Sequence, residues 1–436
     1  PKSSLGRRDY NPPASGLVVR EMNFRGRVCE KRGEKGLMGG WRERLLTVIE
    51  SAERRVGRAK LYLKMRYGWL GPVSITPYVG HGTPQEFHLL GRVLEEREIP
   101  LGSAGDSALR NLRTMIRRFL SAEVPGARVR VRFEGRERVV VADDEGFVDV
   151  SIRPSRPLPE DRAWHTAELE LLWPTAKGQD GFRTEGSVLV PPSKLRDGAF
   201  GVVSDIDDTI VRTEATSLLR MARLVLFSNA HTRLPFEGVA AFYRALQRGA
   251  AGDGDNPIFY VSTGPWNLYD LLENFLEIQE LPRGPIFLKD WGGLKDLLKG
   301  MNHRQHKLEV IREIFDTHPT LSFVLIGDSG QQDAETYGQL AREYPGRVLA
   351  IYIRDVSRKE RDVAVRAISE EMRSLEVPML LVNDTVEAAE HAAARELVSP
   401  RALEDVREER EEDSGGRETL SEVLEALQPP SGTSGQ

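Results

Sequence analysis

Cysteine is almost absent from this 436-residue chain, in which Cys29 is the single example. One thiol forms neither an intramolecular disulfide nor a cysteine-based zinc cluster. The scarcity is typical of proteins that work in a reducing compartment, so we expect a cytoplasmic location.

Long apolar runs and a strong excess of one charge are also missing. No apolar stretch reaches the ~18 residues that a membrane span requires, and the N-terminal stretch lacks the apolar core of a signal peptide. The 61 Lys and Arg residues are nearly balanced by 66 Asp and Glu residues, for a net charge of −5. This balance speaks against a nucleic-acid-binding protein. If the substrate lies in a membrane, we expect peripheral contact with its surface.

The chain is long enough for two domains, each with its own core. Its 40% hydrophobic and 29% charged content is typical of a soluble globular protein. The predicted segments are an irregular N-terminal stretch (1–40), a β-domain with a helix (41–175), a linker (176–198), an α/β domain (199–400) and a charged, disordered tail (401–436).

Apolar and polar residues alternate with a period of two in the first half, which predicts β-strands. The strand candidates are 60–66, 129–133, 139–141, 147–152 and 168–172. The turn residues 143–146 separate two of them and predict a hairpin. Helices are predicted at 41–56 and 107–120, so this half indicates a small antiparallel β-sandwich with an inserted helix. Its three histidines are expected to be structural: His81, His88 and His165.

Strands and helices alternate in the second half, which predicts a parallel, doubly wound α/β sheet. The strand candidates are 200–204, 258–261, 286–288, 321–326, 348–353 and 379–382. The helix candidates are 236–248, 266–277, 303–315, 333–343, 358–374 and 384–397. Beyond them, the charged run 404–418 predicts a solvated helix end followed by disorder, with an interaction tail as the alternative.

The run from Gly201 to Ile210 combines an apolar strand with a cluster of carboxylates. Asp205, Asp207, Asp208 and Thr209 follow the buried strand, which places Asp205 and Asp207 at its carboxyl end, where α/β sheets bind ligands. Carboxylates this close repel and require a cation or a reaction that uses them. A calcium loop would need a central Gly and a later Glu between two helices, neither of which is present. A solvated acidic turn is the remaining alternative.

Two further strands end in polar residues. The strand at 258–261 runs into Ser262, Thr263 and Gly264, whose hydroxyls and backbone N–H groups suit a phosphate oxygen, although the same residues are an ordinary helix start.

The strand at 321–326 ends in Gly327 and Asp328, and Asp333 follows five positions later. Oxygen ligands of this kind suit Mg²⁺, so Asp205, Asp328 and the chain near Asp207 form a candidate metal site. Asp333 would be a ligand or a support for one, unless it merely caps the next helix.

Two lysines are candidates for neutralising a bound phosphate. Lys307 starts the helix that leads into the acidic strand, and Lys289 ends the strand at 286–288. We favour Lys307 for that position, while a surface lysine is the alternative for either.

Together, Asp205 to Thr209, Ser262, Lys307 and Gly327 to Asp333 resemble the ordered motifs of the haloacid dehalogenase superfamily of phosphohydrolases. The wording of three stretches, at 204–210, 260–266 and 326–331, is similar to that of the actin-patch-associated phosphatidate phosphatase family. The resemblance covers about 188–390, with a weaker match at 77–83 and 91–94. The family more often has Asn-Ser at the position of Thr263 and Gly264.

The resemblance implies a haloacid-dehalogenase-like sheet and a Mg²⁺-dependent phosphatidate phosphatase. Asp205 would be the nucleophile that forms an aspartyl-phosphate, and Asp207 the acid and base. Lys307 would offset phosphate charge, and Asp205, Asp207, Asp328 and Asp333 would surround the metal. Thr209, Ser262, Thr263 and Gly264 would bind or orient the substrate.

Two other functions remain open from the sequence. The catalytic motifs alone do not specify a lipid, so a phosphatase of a soluble phosphomonoester is one alternative. A non-catalytic, lipid-binding adaptor that uses the β-domain is the other. Residues 211–257 separate the first two motifs and form either a lid that meets a lipid surface or a buried core helix. The apolar run at 218–227 favours the buried core helix.

Overall fold

The computed structural model describes the greater part of the chain. The described residues are Gly57, 59–96, 122–156, 158–159, 162–192, 198–206, Thr209, 236–289, 303–356 and 359–426. The predicted helices at 41–56 and 107–120, the apolar run at 218–227 and Asp207 lie outside them.

The first domain contains nine strands that form one sheet. They are β1 (Val73–Pro77), β2 (Gly80–Thr83), β3 (Glu86–Glu95), β4 (Ala122–Glu123), β5 (Arg128–Phe133), β6 (Arg136–Val141), β7 (Phe147–Ile152), β8 (Trp164–Trp173) and β9 (Phe182–Leu189). The main path of the sheet is β1-β3-β2-β9-β8-β5-β6, and both β4 and β7 also pair with β3.

The predicted antiparallel pairing is confirmed for these strands except β2 and β9, which pair in parallel. The nine strands hydrogen-bond into one sheet rather than two separate ones, and most of their buried apolar residues form one core. Apolar residues from strands far apart in the sheet share that core, among them Ile75, Phe87, Val131 and Leu169. The alternating pattern specifies which face is buried, but it does not specify how many sheets share the core.

Residues 59–67 form a helix, α1, so the strand predicted at 60–66 is wrong. Leu61 and Met65 lie one helical turn apart and pack on the core of the β-domain, whereas Tyr62 and Leu63 are exposed. A run this short fits both periods, and it contains no β-branched residue that would favour a strand.

The hairpin predicted around 143–146 is also wrong. β6 pairs with β5 through the turn at Glu134 and Gly135, where both residues have a positive φ, and β7 pairs with β3 instead. The turn itself is present, since the Asp143 carboxylate accepts hydrogen bonds from the N–H groups of Glu145 and Phe147. This turn leads the chain from β6 into β7, whose partner β3 lies much earlier in the chain.

The predicted linker 176–198 contains the strand β9, which pairs with β8 over eight residue pairs from Phe182 to Leu189. This segment has apolar residues at its end but charged residues at its start, so its strand character is weak in the sequence. The part of the linker between the two sheets is therefore shorter than the composition indicates.

The second domain is an α/β unit, as predicted. Its strands are β10 (Phe200–Asp205), β11 (Ile258–Pro265), β12 (Ile286–Lys289), β13 (Ser322–Asp328), β14 (Val348–Arg354) and β15 (Met379–Val382). Its helices are α2 (Val239–Arg248), α3 (Tyr269–Ile278), α4 (His303–Thr317), α5 (Asp333–Glu343), α6 (Lys359–Ser374), α7 (Thr385–Ala394) and α8 (Ala402–Ala426), and a 3₁₀ turn (Trp266–Leu268) precedes α3.

The strand order is β12-β11-β10-β13-β14-β15, and every pair in this sheet is parallel. β10 therefore lies inside the sheet, with β11 and β12 on one side and β13, β14 and β15 on the other. The direction in which successive strands are added reverses between β10 and β13. A ligand crevice is expected at the carboxyl ends of the strands at this switch point. Asp205 and Asp328 are the last residues of the two strands.

Residues 402–426 of the predicted tail form α8, so the helix end predicted for the charged run 404–418 is part of a longer helix. Its side chains hold the start of α2: the Glu409 carboxylate accepts a hydrogen bond from Ala241 N–H (2.8 Å), and the Asp413 carboxylate accepts one from Gly238 N–H (3.1 Å). Val406 is buried in the core of the α/β domain. Within the described helices, none is both apolar and long enough to cross a membrane.

Removing residues 401–436 is expected to destabilise the α/β domain by about 3 kcal/mol, because α2 loses two capping carboxylates at about 1 kcal/mol each and an apolar contact at Val406. Thermal unfolding of the truncated and full chains measures the effect. Glu408→Gln, at an exposed position of α8, is the control and should leave the midpoint unchanged. A truncated chain with the same midpoint as this control would contradict the contacts of α8.

Candidate active site

Three carboxylates from separate parts of the chain meet at the switch point of the parallel sheet. β10 delivers Asp205, β13 delivers Asp328, and Asp333 is the first residue of α5. One oxygen of each lies within 4.8 Å of one oxygen of the others. Their side chains are almost fully enclosed, with 1%, 0% and 0% of Asp205, Asp328 and Asp333 exposed.

Lys307, from the first turns of α4, lies among these carboxylates. Its Nζ is 2.7 Å from Asp205 Oδ1 and 2.6 Å from Asp333 Oδ1. Burial by itself lowers the pKa of Lys307, but the two carboxylates outweigh burial and hold that pKa above its usual value. The ammonium group therefore stays charged throughout the physiological range. Lys289, the other candidate lysine, is the last residue of β12. The strand β11 lies between β12 and β10, the strand that carries Asp205.

The charges of this cluster do not balance among its own members. With all four groups ionised, the three carboxylates exceed the single lysine by two negative charges in an enclosed site. Excess buried charge of this kind is costly unless a cation joins it or protons are taken up. The donor set consists of hard carboxylate oxygens, without histidine or cysteine, and this is the set that Mg²⁺ and similar cations prefer. The cluster therefore fits a divalent metal ion.

The loop from Asp328 to Asp333 is held by its own polar groups. Asp328 N–H donates to Asp333 Oδ2 (3.1 Å), and Asp328 Oδ1 accepts a hydrogen bond from Gln331 N–H (2.7 Å). The Gln331 side chain in turn accepts one from Lys307 Nζ (3.0 Å). The side chain of Asp333 thus faces the site. It does not cap α5, whose N-cap residue is Gln332.

Arg361 of α6 supports the same loop from outside, and the sequence analysis did not identify it. Its guanidinium donates to the carbonyl oxygens of Ser329 (3.1 Å) and Gln331 (2.7 Å) and forms a two-pronged ion pair with Glu335 (2.6 and 2.7 Å). This pairing raises the pKa of Arg361. Arg361 stands in no motif that signals a role, so only the fold reveals it. Gln331 ends the family-like stretch 326–331, but the sequence does not indicate its contact with Lys307.

Gly327 is required by the close approach of Asp333 to β13. A Cβ atom at position 327 would lie 2.5 Å from Asp333 Oδ2 and 2.8 Å from a ring carbon of Tyr337. Tyr337 is fixed in place because its hydroxyl donates to the Ile326 carbonyl (2.9 Å). Asp333 is thus the group that would have to move, and it would leave Lys307.

We expect Gly327→Ala to lower kcat/KM by about 100-fold, because misplacing a site group by ~1 Å costs on this order. The extra methyl group should also lower the free energy of unfolding by about 1–3 kcal/mol. Steady-state kinetics and thermal unfolding test this, with Gly57→Ala as the control because a Cβ atom there meets nothing within 4 Å. Wild-type activity in Gly327→Ala would contradict the assigned position of Asp333.

The hydroxyl-bearing residues lie on the strand beside Asp205. Asp205 is opposite Val261 in the β10–β11 pair, so Ser262 is the next residue along that strand edge. Ser262 is buried, and its Oγ accepts a hydrogen bond from Gly264 N–H (3.0 Å). This bond closes an ST-turn from Ser262 to Gly264 within β11, where the pairing of β11 with β12 shifts register. Thr209, also buried, places Oγ1 3.4 Å from Asp205 Oδ2.

The structure thus brings Asp205, Thr209, Lys307, Asp328 and Asp333 together, with Ser262 to Gly264 on the adjacent strand. The predicted acid, Asp207, is outside the described residues, as is the larger part of the 211–257 segment. The described remainder of that segment includes α2, whose inner face is buried in the core. Among the described residues, Asp205, Asp328 and Asp333 form the one group that could hold a metal ion. The structural role expected for the histidines stays a prediction.

The part of the chain that carries this site is similar to known proteins. Residues 200–355 match the family model described as the catalytic domain of phosphatidate phosphatase APP1. The phosphatidate phosphatase APP1 of Saccharomyces cerevisiae is 34% identical over 173 residues, which make up 40% of this chain and 29% of that protein. An uncharacterized protein of Schizosaccharomyces pombe is 31% identical over 160 residues, 36% of this chain and 25% of that protein. The chain therefore spans less than a third of either relative in these matches.

Similarity to solved structures is low. A carbohydrate acetylesterase from Xanthomonas citri covers 76% of this chain and 70% of its own at 11% identity, with a TM-score of 0.23. A score at this level carries no argument about fold or function.

Proposed function

We propose that this chain, whose residues 200–355 belong to the family of APP1 phosphatidate phosphatase catalytic domains, is a Mg²⁺-dependent phosphatase that converts phosphatidate to diacylglycerol and phosphate. The observation that carries the proposal is the enclosed group of Asp205, Asp328 and Asp333 around Lys307. The sequence resemblance to haloacid dehalogenase phosphohydrolases supports the same chemistry.

Asp205 is the proposed nucleophile. It lies at the carboxyl end of a buried strand, where one oxygen contacts Lys307 and the other faces Thr209. In the first step a carboxylate oxygen of Asp205 forms a bond to phosphorus while the bond from phosphorus to the diacylglycerol oxygen breaks. In the second step a water oxygen attacks the same phosphorus and frees the carboxylate and inorganic phosphate.

Asp207 is the proposed proton carrier, from its place two residues after the nucleophile. It gives a proton to the departing diacylglycerol oxygen and takes one from the attacking water, so that proton balance is restored after each cycle. Thr209 would hold Asp205 in its reacting orientation.

The remaining residues would bind the phosphoryl group. The Lys307 ammonium offsets the negative charge of the phosphoryl oxygens, and its contacts with Gln331 and Asp333 fix its position in advance. Ser262, Thr263 and Gly264 supply hydroxyl and N–H donors from the adjacent strand. Asp205, Asp207, Asp328 and Asp333 would hold Mg²⁺, which when bound supplies a positive charge that polarises the phosphoryl group.

The substrate is a lipid in this proposal, so the protein would act at a membrane surface as a peripheral, cytoplasmic enzyme. The family membership of residues 200–355 supports the choice of phosphatidate over a soluble ester.

The test is phosphate release from phosphatidate in mixed detergent micelles. We expect release with Mg²⁺, and at least a tenfold loss when EDTA replaces the metal. Soluble phosphomonoesters in the same assay should give a kcat/KM lower by orders of magnitude. A soluble ester that exceeds phosphatidate by such a margin would reassign the substrate, and lipid binding without turnover of any ester would contradict the enzyme.

A further inference from the structure

The β-domain reaches the α/β domain through a stack of aromatic rings. Tyr78, in the turn between β1 and β2, stacks on Tyr269 at 4.0 Å between ring centroids and on Trp266 at 5.2 Å, with interplanar angles of 29° and 13°. Phe147 of β7 meets the edge of both Tyr78 (6.4 Å) and Trp266 (6.1 Å). The Arg92 guanidinium covers the outer side of Phe147 at 4.6 Å.

A buried hydrogen bond joins the same two segments. Val79 N–H donates to the hydroxyl oxygen of Tyr269 at 2.7 Å, so the backbone next to Tyr78 is tied to the first residue of α3. Tyr78, Trp266 and Tyr269 are all buried, and Tyr78 belongs to the core of the α/β domain rather than to that of its own domain. The aromatic stack is therefore a rigid contact between the domains.

The α/β side of this contact continues directly into the turn at Ser262 to Gly264. Trp266 follows that turn by two residues, and Leu268 in the next turn packs so closely that a Cβ atom on Gly264 would lie 3.2 Å from its side chain. Ser262 Oγ and Gly264 N–H are hydrogen-bonded to each other. A displacement of Trp266 and Tyr269 would thus be transmitted to the proposed phosphate-binding turn through the backbone of Pro265 and the packed side chain of Leu268.

We infer that Tyr78 is a positioning residue for the phosphate-binding turn, which gives the β-domain a role in the reaction. The inference rests on the proposed function, since it assigns to residues 262–264 a phosphoryl group as their ligand. Tyr78 does not touch that group. It fixes Trp266 and Tyr269, and these fix the turn that aligns phosphate with Asp205.

The test compares Tyr78→Ala with Tyr78→Phe in the full chain. Three quantities are measured: kcat and KM on phosphatidate micelles, the Kd of inorganic phosphate by calorimetry with Mg²⁺ present, and the thermal unfolding midpoint. Loss of both ring stacks should weaken phosphate binding and lower kcat/KM about tenfold each, since two such pairs contribute on the order of a tenfold change. Tyr78→Phe keeps both stacks and should stay within about threefold of wild type.

His81→Ala is the matched control, because His81 lies at the same junction but packs on Phe287 of β12, at 5.1 Å, rather than on the turn. It should lower the unfolding midpoint without changing the Kd of phosphate. Equal phosphate affinity in Tyr78→Ala and His81→Ala would overturn the inference and leave Tyr78 as interface packing alone.

Tyr269→Phe gives a second route if Tyr78→Ala does not fold. It removes only the hydroxyl that accepts the hydrogen bond from Val79 N–H, and it should weaken phosphate binding about threefold to tenfold. Unchanged phosphate affinity in this folded variant would also overturn the inference. Wild-type protein that binds phosphate but does not hydrolyse phosphatidate would contradict the proposed substrate, while the phosphate measurements would still decide the role of Tyr78.

Discussion

Replacement of Asp205 by Asn is expected to lower kcat on phosphatidate by about 10⁴-fold or more, because removing a nucleophile has effects of this order. The amide has the same shape as the carboxylate, so the fold should be retained. It is a far weaker nucleophile, and it also removes one of the two carboxylates that contact Lys307. Phosphate release in mixed micelles, with the unfolding midpoint as a check on folding, measures the effect.

Asp405→Asn makes the same chemical change at an exposed position on α8 and should leave kcat unchanged. If Asp205→Asn retained more than about a tenth of wild-type kcat, another group would be the nucleophile. That result would contradict the proposed nucleophilic step. It would not contradict a metal site formed by the carboxylate cluster.

Replacement of Lys307 by Met has the second large effect, and it acts on both stability and activity. Lys307 is the buried cation shared by Asp205 and Asp333, and breaking a buried pair leaves uncompensated charge that costs about 3–5 kcal/mol. The phosphoryl oxygens would also lose a positioned donor, so kcat should fall by about 100- to 1000-fold. Denaturant titration and steady-state kinetics measure the two effects separately.

Lys289→Met is the matched control and decides between the two lysines. Lys289 ends β12 and is separated from β10 by β11, so its replacement should change kcat by less than about threefold. Full activity in Lys307→Met together with a loss in Lys289→Met would reverse the assignment. Added Mg²⁺ should recover part of the stability lost in Lys307→Met, since a divalent cation offsets the same carboxylates.

The strands of the parallel sheet could be predicted from the sequence because each is a short, continuous apolar run that ends in polar residues. β10 and β13 are buried on both faces, so their composition alone distinguishes them from the surrounding helices. The parallel arrangement then places their carboxyl ends at one edge, and the convergence of Asp205 and Asp328 follows from topology. This part of the site was predicted without any side-chain geometry.

The β-domain was harder to predict because its pairing is non-local. β7 pairs with β3, about 60 residues earlier in the chain, rather than with the neighbouring β6, and alternation specifies a buried face but not a partner. The strands β1 and β2 were not predicted, since Pro77, Gly80 and Gly82 interrupt the pattern there. α1 was mistaken for a strand because its few apolar residues fit two periods.

The roles of the supporting residues could not be predicted from local patterns. Gln331 lies in the stretch 326–331 and Arg361 has ordinary neighbours, and both matter because the fold brings Gln331 to Lys307 and Arg361 to the carbonyl groups of the 329–331 turn. The contact between Val79 and Tyr269 joins residues 190 positions apart. Such contacts arise from tertiary packing, which a single sequence does not specify.

The central claim is that Asp205 accepts phosphate in the enclosed carboxylate site, and trapping the intermediate tests it most directly. Phosphatidate labelled in its phosphate group is mixed with the enzyme and Mg²⁺, quenched in acid within milliseconds, and the digested protein is analysed by mass spectrometry. We expect a phosphate label on Asp205 that hydroxylamine removes and that Asp205→Asn lacks. A label on a different residue, or rapid turnover with no label on the protein, would contradict it.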